Sequence, residues 1–138
     1  MRIGAYEDKQ AQLEEIMKKI PTEKYYGSGI YCIKANDKIV YIGQSKDMIV
    51  RVANHVWEIE YGDKKETKYR ILAEMREEYN ISFDVMCYCD EDKLTLVEDG
   101  LIRGYLPMLN TVIPGREAYR ISHISPKKLL NGKWREYI

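Results

Sequence analysis

The spacing of apolar positions changes several times along the chain, and each change predicts a new element. Over residues 6–20, Leu13, Ile16, Met17 and Ile20 recur at helical intervals, and Pro21 ends that helix. Residues 27–29 are glycine-rich loop. Residues 30–34 and 38–42 then alternate or run apolar, with β-branched side chains, and flank the turn-forming Ala35-Asn36-Asp37. That pattern predicts a β-hairpin.

After Gly43 the helical period returns. Asp47 is placed to cap a helix whose inner face is Met48, Val52, Val56 and Ile59. A further helix is expected over 65–79, with Tyr69, Leu72, Met75 and Arg76 along one side. Residues 81–89 read as a strand. Residues 90–105 read as a helix opened by acids, as the dipole prefers, and stopped before Pro107. The order predicts an α+β fold: a small, three-stranded, mainly antiparallel sheet flanked by helices.

Composition narrows the class without naming a function. At 138 residues a single domain over 1–138 is expected. Hydrophobic residues make up 45% and charged residues 32%, enough for both a core and a solvated surface. Positive and negative charges balance at 22 each, so net charge points to no polyanion. Residues 111–138 alone carry six positive and two negative groups. Such a basic tail suits phosphate contacts or an ordinary solvated terminus. Cys32, Cys87 and Cys89 are odd in number and lack a C-x-x-C, which disfavours a disulfide framework. Two thiols and the scattered His55 and His123 make a poor zinc set. No apolar run approaches the roughly 20 residues that span a bilayer, and the first ten residues lack a signal-peptide core. A soluble, cytoplasmic protein is expected.

A few residues break the pattern. Glu98 lies among Leu94, Leu101, Ile102 and Tyr105 on its helical face. A carboxylate there is costly unless it is paired, protonated or bound to a cation, or unless it reaches solvent at the stripe's edge. Arg51 and His55, four apart, share a helix face. With Asp47 and Glu58 they make either a surface ion-pair ladder or part of a site. His123 reads as an exposed loop histidine, and Asn110 as a loop residue.

The hairpin unites these residues. Gly29-Ile30-Tyr31 and Tyr41-Ile42-Gly43, separated by nine residues, resemble the name-giving motif of the GIY-YIG nuclease family. Arg51 follows Gly43 by eight, and His55 follows Arg51 by four, as in that family. The segment EDGLIRGYLPMLN, residues 98–110, resembles the family's E-x-x-L-I-x-x-Y-x-P-x-x-N motif. It is closest to the form found in the nuclease domain of the bacterial nucleotide-excision repair subunit. The resemblance spans residues 28–112. One departure stands out: Gln44 occupies a position where some repair-type members carry lysine.

The resemblance implies a metal-dependent DNA endonuclease. Tyr31, Tyr41, Arg51, His55, Glu98 and Asn110 are its implied site residues, with Mg²⁺ or Mn²⁺ on Glu98. Tyr31 would be the general base, its phenolate favoured by Arg51 and the metal. Tyr41 would orient water or phosphate, His55 would assist, and Asn110 would fix the segment near Glu98. Both tyrosines must then project from one face of the sheet, towards Arg51 and Glu98. DNA is the implied partner, with specificity from the small domain itself, a homodimer or a partner protein. A stand-alone domain is expected, because residues 1–27 and 113–138 offer little room for another. The alternatives are a DNA-binding or interaction module that keeps the fold with little catalysis, and a structural domain whose tyrosines are core.

Overall fold

The computed structural model describes residues 5–110 and 126–138. Helix α1 spans Ala5–Lys19 and buries Ile16, with Ile20 just beyond its end. Pro21 has extended backbone and opens a short helix, α2 (Thr22–Tyr25), which the sequence pattern does not predict. Strands β1 (Gly29–Ala35) and β2 (Lys38–Ser45) form the hairpin. Asn36 takes the left-handed conformation its turn needs, at φ 53°. Helix α3 (Met48–Glu60) begins at Asp47, whose carboxylate accepts from the Val50 N–H. Helix α4 spans Thr67–Met75, β3 spans Ile81–Tyr88 and α5 spans Leu94–Tyr105.

All three strands are antiparallel, in the order β2-β1-β3. Gly29 permits the close β1–β3 approach: a Cβ there would strike the Cys87 carbonyl and the Met48 side chain. The two faces of the sheet are covered differently. On one, Tyr31 packs with Ile16, Tyr25, Met48, Val52 and Ala53, from α1, α2 and α3. Ile33 and Val40 join a neighbouring cluster with Ile71, Leu72 and Met75 of α4. On the other face, Ile30, Cys32 and Ile42 pack with Leu94 and Ile102 of α5. Leu129 and Trp134, from 3-10 turns at Pro126–Leu129 and Lys133–Tyr137, fill the α4 cluster; both are fully buried. The Trp134 indole N–H donates to Glu74 at 3.2 Å.

Several sequence expectations shift in detail. Helix α4 is shorter than 65–79, and Arg76 is exposed rather than part of its inner stripe, while Ile71 is buried. The acids before α5 lie in a separate 3-10 turn, Glu91–Lys93. Tyr105 is exposed, because α5 ends there and Leu106 turns left-handed at φ 46°. His123 lies outside the described residues.

After α5 the chain folds back along the outer edge of β2. The Leu109 N–H donates to the Val40 carbonyl at 2.9 Å. Asn110 then uses both ends of its amide: it accepts from the Ile42 N–H and donates to the Ile42 carbonyl, each at 2.9 Å.

Candidate active site

The strand register places both tyrosines on one face. Tyr31 lies opposite Gly43, and Tyr41 lies opposite Ile33, two residues along β1 from Tyr31. Side chains two apart on a strand share a face, so both phenols point towards α3. There they meet His55, whose ring centre lies 5.4 Å from Tyr31, 5.7 Å from Tyr41 and 5.8 Å from Tyr69.

Gly43 makes room for this arrangement. A Cβ at Gly43 would collide with the Tyr31 hydroxyl and ring, so the phenol occupies space that any other residue would fill. The Tyr31 oxygen sits 2.5 Å from His55 Nε2, and Arg51 Nε donates to the same oxygen at 3.4 Å. On the far side of the imidazole, Nδ1 is 2.9 Å from the Tyr69 oxygen. His55 is thus fully buried and clamped at both nitrogens. The surface ion-pair ladder is not formed, because His55 faces inward between phenols.

Electrostatics follow from that burial. The His55 imidazole is pushed down to about 3, first by burial and then by the charges of Lys68 and Arg51, so it is neutral near pH 7. The Tyr31 phenol is held well above its ordinary range: burial and Tyr41 raise it, and Arg51 offsets only part of the rise. The expectation that Arg51 favours the phenolate holds in sign, but burial outweighs it. Burial also raises Tyr41, with Arg51 pulling it down and Glu98 adding to the rise.

Glu98 reaches this region from the opposite side. Its helix, α5, packs on the Ile30, Cys32 and Ile42 face, while the tyrosines occupy the α3 face. The carboxylate is only 2% exposed, and its Oε1 accepts from Gln44 Nε2 at 3.3 Å. Gln44 also contacts Thr95 Oγ1 at 3.3 Å. Burial raises the Glu98 carboxyl; the Gln44 bond and Arg51 pull it down, and Asp99 pushes it up. Gly43 and Gln44 are neighbours on β2, so the Tyr31 phenol and the Glu98 carboxylate meet adjacent residues of one strand from its two faces. Asn110 is buried, and its amide locks the β2 backbone at Ile42, one residue before Gly43.

Sequence reasoning missed three neighbours. Tyr69 was visible only as an apolar stripe position on α4, although a buried phenol usually finds a polar partner for its hydroxyl. Lys68 lays its ammonium 4.5 Å from the Tyr41 ring centre and 4.8 Å from that of Tyr69. Gln44 was noted as a departure but not as the partner of Glu98.

Glu98 is suited to a hard divalent cation: it is a buried carboxylate whose oxygen is engaged by one long amide contact. Among the described residues, no group of three or more His, Cys, Asp and Glu is placed to hold a metal. A cation here would therefore rest on Glu98, with water and substrate oxygens as its remaining ligands, as Mg²⁺ commonly does.

No family model matches the chain. Two curated proteins are similar in sequence, both named UvrABC system protein C. The one from Fervidobacterium nodosum is 24% identical over 111 residues, covering 80% of this chain and 17% of that protein. The one from Fusobacterium nucleatum is 24% identical over 98 residues, covering 71% of this chain and 15% of that protein. The chain thus spans less than a fifth of the length of these relatives. Among solved structures, a similar one is the GIY-YIG N-terminal endonuclease domain of UvrC from Thermotoga maritima bound to magnesium. Its TM-score is 0.47 at 23% identity, over 69% of this chain and 94% of that one. The chain is thus similar in sequence to the UvrABC system C proteins over a segment that includes both tripeptides of the hairpin, and its ordered motifs resemble those of the GIY-YIG family.

Proposed function

We propose that this chain is a divalent-metal-dependent endonuclease that hydrolyses DNA phosphodiester bonds. The observation that carries the reading is the Tyr31 oxygen, held between His55 Nε2 and Arg51 Nε beneath Gly43, with the buried Glu98 carboxylate bonded to Gln44, the next residue of the same strand.

Phosphodiester hydrolysis needs a group to take the proton of the attacking water and positive charge to meet the developing oxyanion. Tyr31 is the group for the proton. Once ionised, its oxygen accepts from Arg51 and from His55 in the tautomer that carries hydrogen on Nε2, so two donors offset the cost of a buried phenolate. Arg51 also hydrogen-bonds the phosphate and balances the charge gathering on its oxygens. Tyr41 orients the water or phosphate from the same face. His55, kept neutral, sets the direction of the Tyr31 hydroxyl, and Tyr69 holds the imidazole from behind. Gln44 holds the Glu98 carboxylate, and Asn110 fixes the strand between them. A Mg²⁺ or Mn²⁺ ion bound at Glu98 would supply Lewis-acid stabilisation of the phosphate and of the leaving 3′ oxygen.

The full burial of Tyr31 and its raised phenol favour a second reading, a DNA-binding module with little catalysis. A plasmid-nicking assay with Mg²⁺ or Mn²⁺ separates the two. The nuclease reading expects nicking by the wild type and a loss of at least ~10²-fold in Glu98→Ala and in Arg51→Ala. Folded wild-type protein that binds DNA but nicks none would favour the module. Equal nicking by Glu98→Ala would sink the metal assignment.

A further inference from the structure

Lys68 is a largely buried cation whose ion-pair partner is an exposed glutamate at long range. Its side chain is 17% exposed, and its nearest carboxylate oxygen, on Glu66, is 3.7 Å away on a side chain that is 68% exposed. An exposed contact of that length offsets little of the cost of removing an ammonium from water. The rings of Tyr41 and Tyr69 take up part of it, at 4.5 and 4.8 Å. Arg51 is a second cation that disfavours the charge of Lys68, and both disfavour charge on His55. Glu98, the buried carboxylate of α5, lies on the other face of the sheet and is held by Gln44. The α4 side of the site therefore carries positive charge that Glu66 and Glu58 compensate only in part.

We propose that Lys68 is a second phosphate-binding cation of this site, which takes a backbone phosphate of the nucleic-acid strand beside Tyr41. The proposal rests on the nuclease reading and assigns it a contact on α4, outside the hairpin, α3 and α5 motifs. The aromatic rings serve as a holder: they steer the flexible lysine stem so that its charge is already in place when the strand arrives. An incoming phosphate supplies a closer anion than the exposed Glu66, and binding relieves the repulsion between Lys68 and Arg51.

The test measures binding of a fluorescently labelled DNA duplex across a salt series in EDTA, alongside plasmid nicking with Mg²⁺. Lys68→Met keeps an apolar stem over the tyrosine rings and removes the charge; Lys68→Arg restores it. The expected result is weaker binding by Lys68→Met, by roughly tenfold, and a salt slope reduced by about one counterion. Lys68→Arg should recover both. A folded Lys68→Met protein with wild-type affinity, slope and nicking would overturn the proposal and leave the nuclease reading standing. Loss of affinity with an unchanged slope and no recovery in Lys68→Arg would also overturn it, because that pattern marks packing. Wild-type protein that neither binds nor nicks DNA would overturn both readings.

Discussion

The Tyr31 oxygen lies 2.5 Å from His55 Nε2, and the other imidazole nitrogen lies 2.9 Å from the Tyr69 oxygen. Both ends of a fully buried histidine are thus spoken for by phenols, and the orientation of the Tyr31 hydroxyl is set from inside the protein. Tyr31→Phe removes the oxygen while keeping the ring. Nicking should fall at least ~10²-fold, with a stability loss of about 1–3 kcal/mol from the orphaned imidazole nitrogen. Plasmid nicking and urea unfolding on the same preparation check both.

His55 also predicts a pH dependence with a definite sign. Its pKa is about 3 in the folded protein against an ordinary 6.5, so the unfolded chain takes up a proton that the folded one refuses. Stability from this group is complete above pH 6.5 and is lost as pH falls towards 3. The slope should approach about 1.4 kcal/mol per pH unit once the unfolded histidine is protonated. Glu98 has the opposite sign, because its raised carboxyl favours the folded state only in acid. Thermal melts between pH 7 and pH 5, taken as the difference between wild type and His55→Gln, isolate the histidine part. In His55→Gln that part should vanish; an equally steep fall in the variant would mean another group is responsible.

Gly43 is constrained by the side chain facing it. In Gly43→Ala the new methyl meets the Tyr31 hydroxyl and ring, so the phenol must move off His55. The expected cost is about 1–3 kcal/mol, with a drop in nicking. Combined with Tyr31→Phe, which removes part of the obstruction, the losses should be less than additive. A double-mutant cycle by urea unfolding measures this; strict additivity would mean that the strand accommodates the methyl elsewhere.

Trp134 predicts that the last turns of the chain belong to the core. It is fully buried, meets the Tyr79 ring edge-on at 5.2 Å and donates to Glu74. Trp134→Ala should cost about 3–5 kcal/mol. An unfolding midpoint equal to that of the wild type would show that the segment is a dispensable appendage.

What the sequence revealed follows from what periodicity can encode. The hairpin and α3 were legible, because alternation marks the strands and Asp47 marks a helix start. The grouping of Tyr31 with Arg51 came from the family resemblance, and the bond between Tyr31 and His55 was not foreseen, because the spacing of Arg51 and His55 fits a surface ladder equally well. Periodicity says which face of a helix is apolar but not which face of a sheet receives it. That α5 covers the side away from the tyrosines, so that Glu98 lies beside Gln44 and not on the face towards which the tyrosines project, was therefore not legible. Tyr69 and Lys68 were hidden for a related reason. Their roles depend on how α4 crosses α3, a tertiary choice that no local spacing records.

The amide of Asn110 has a consequence beyond the candidate site. Ile42 turns its N–H and carbonyl towards the open side of β2, and Asn110 satisfies both as a neighbouring strand would. An uncovered sheet edge is an invitation to pair with the same edge of another molecule. One side chain thus braces the strand that carries Tyr41 and Gly43 and also closes the border along which copies of the chain would otherwise stack. With the Leu109 N–H on the Val40 carbonyl, the segment that follows α5 guards an edge strand as well as fixing it.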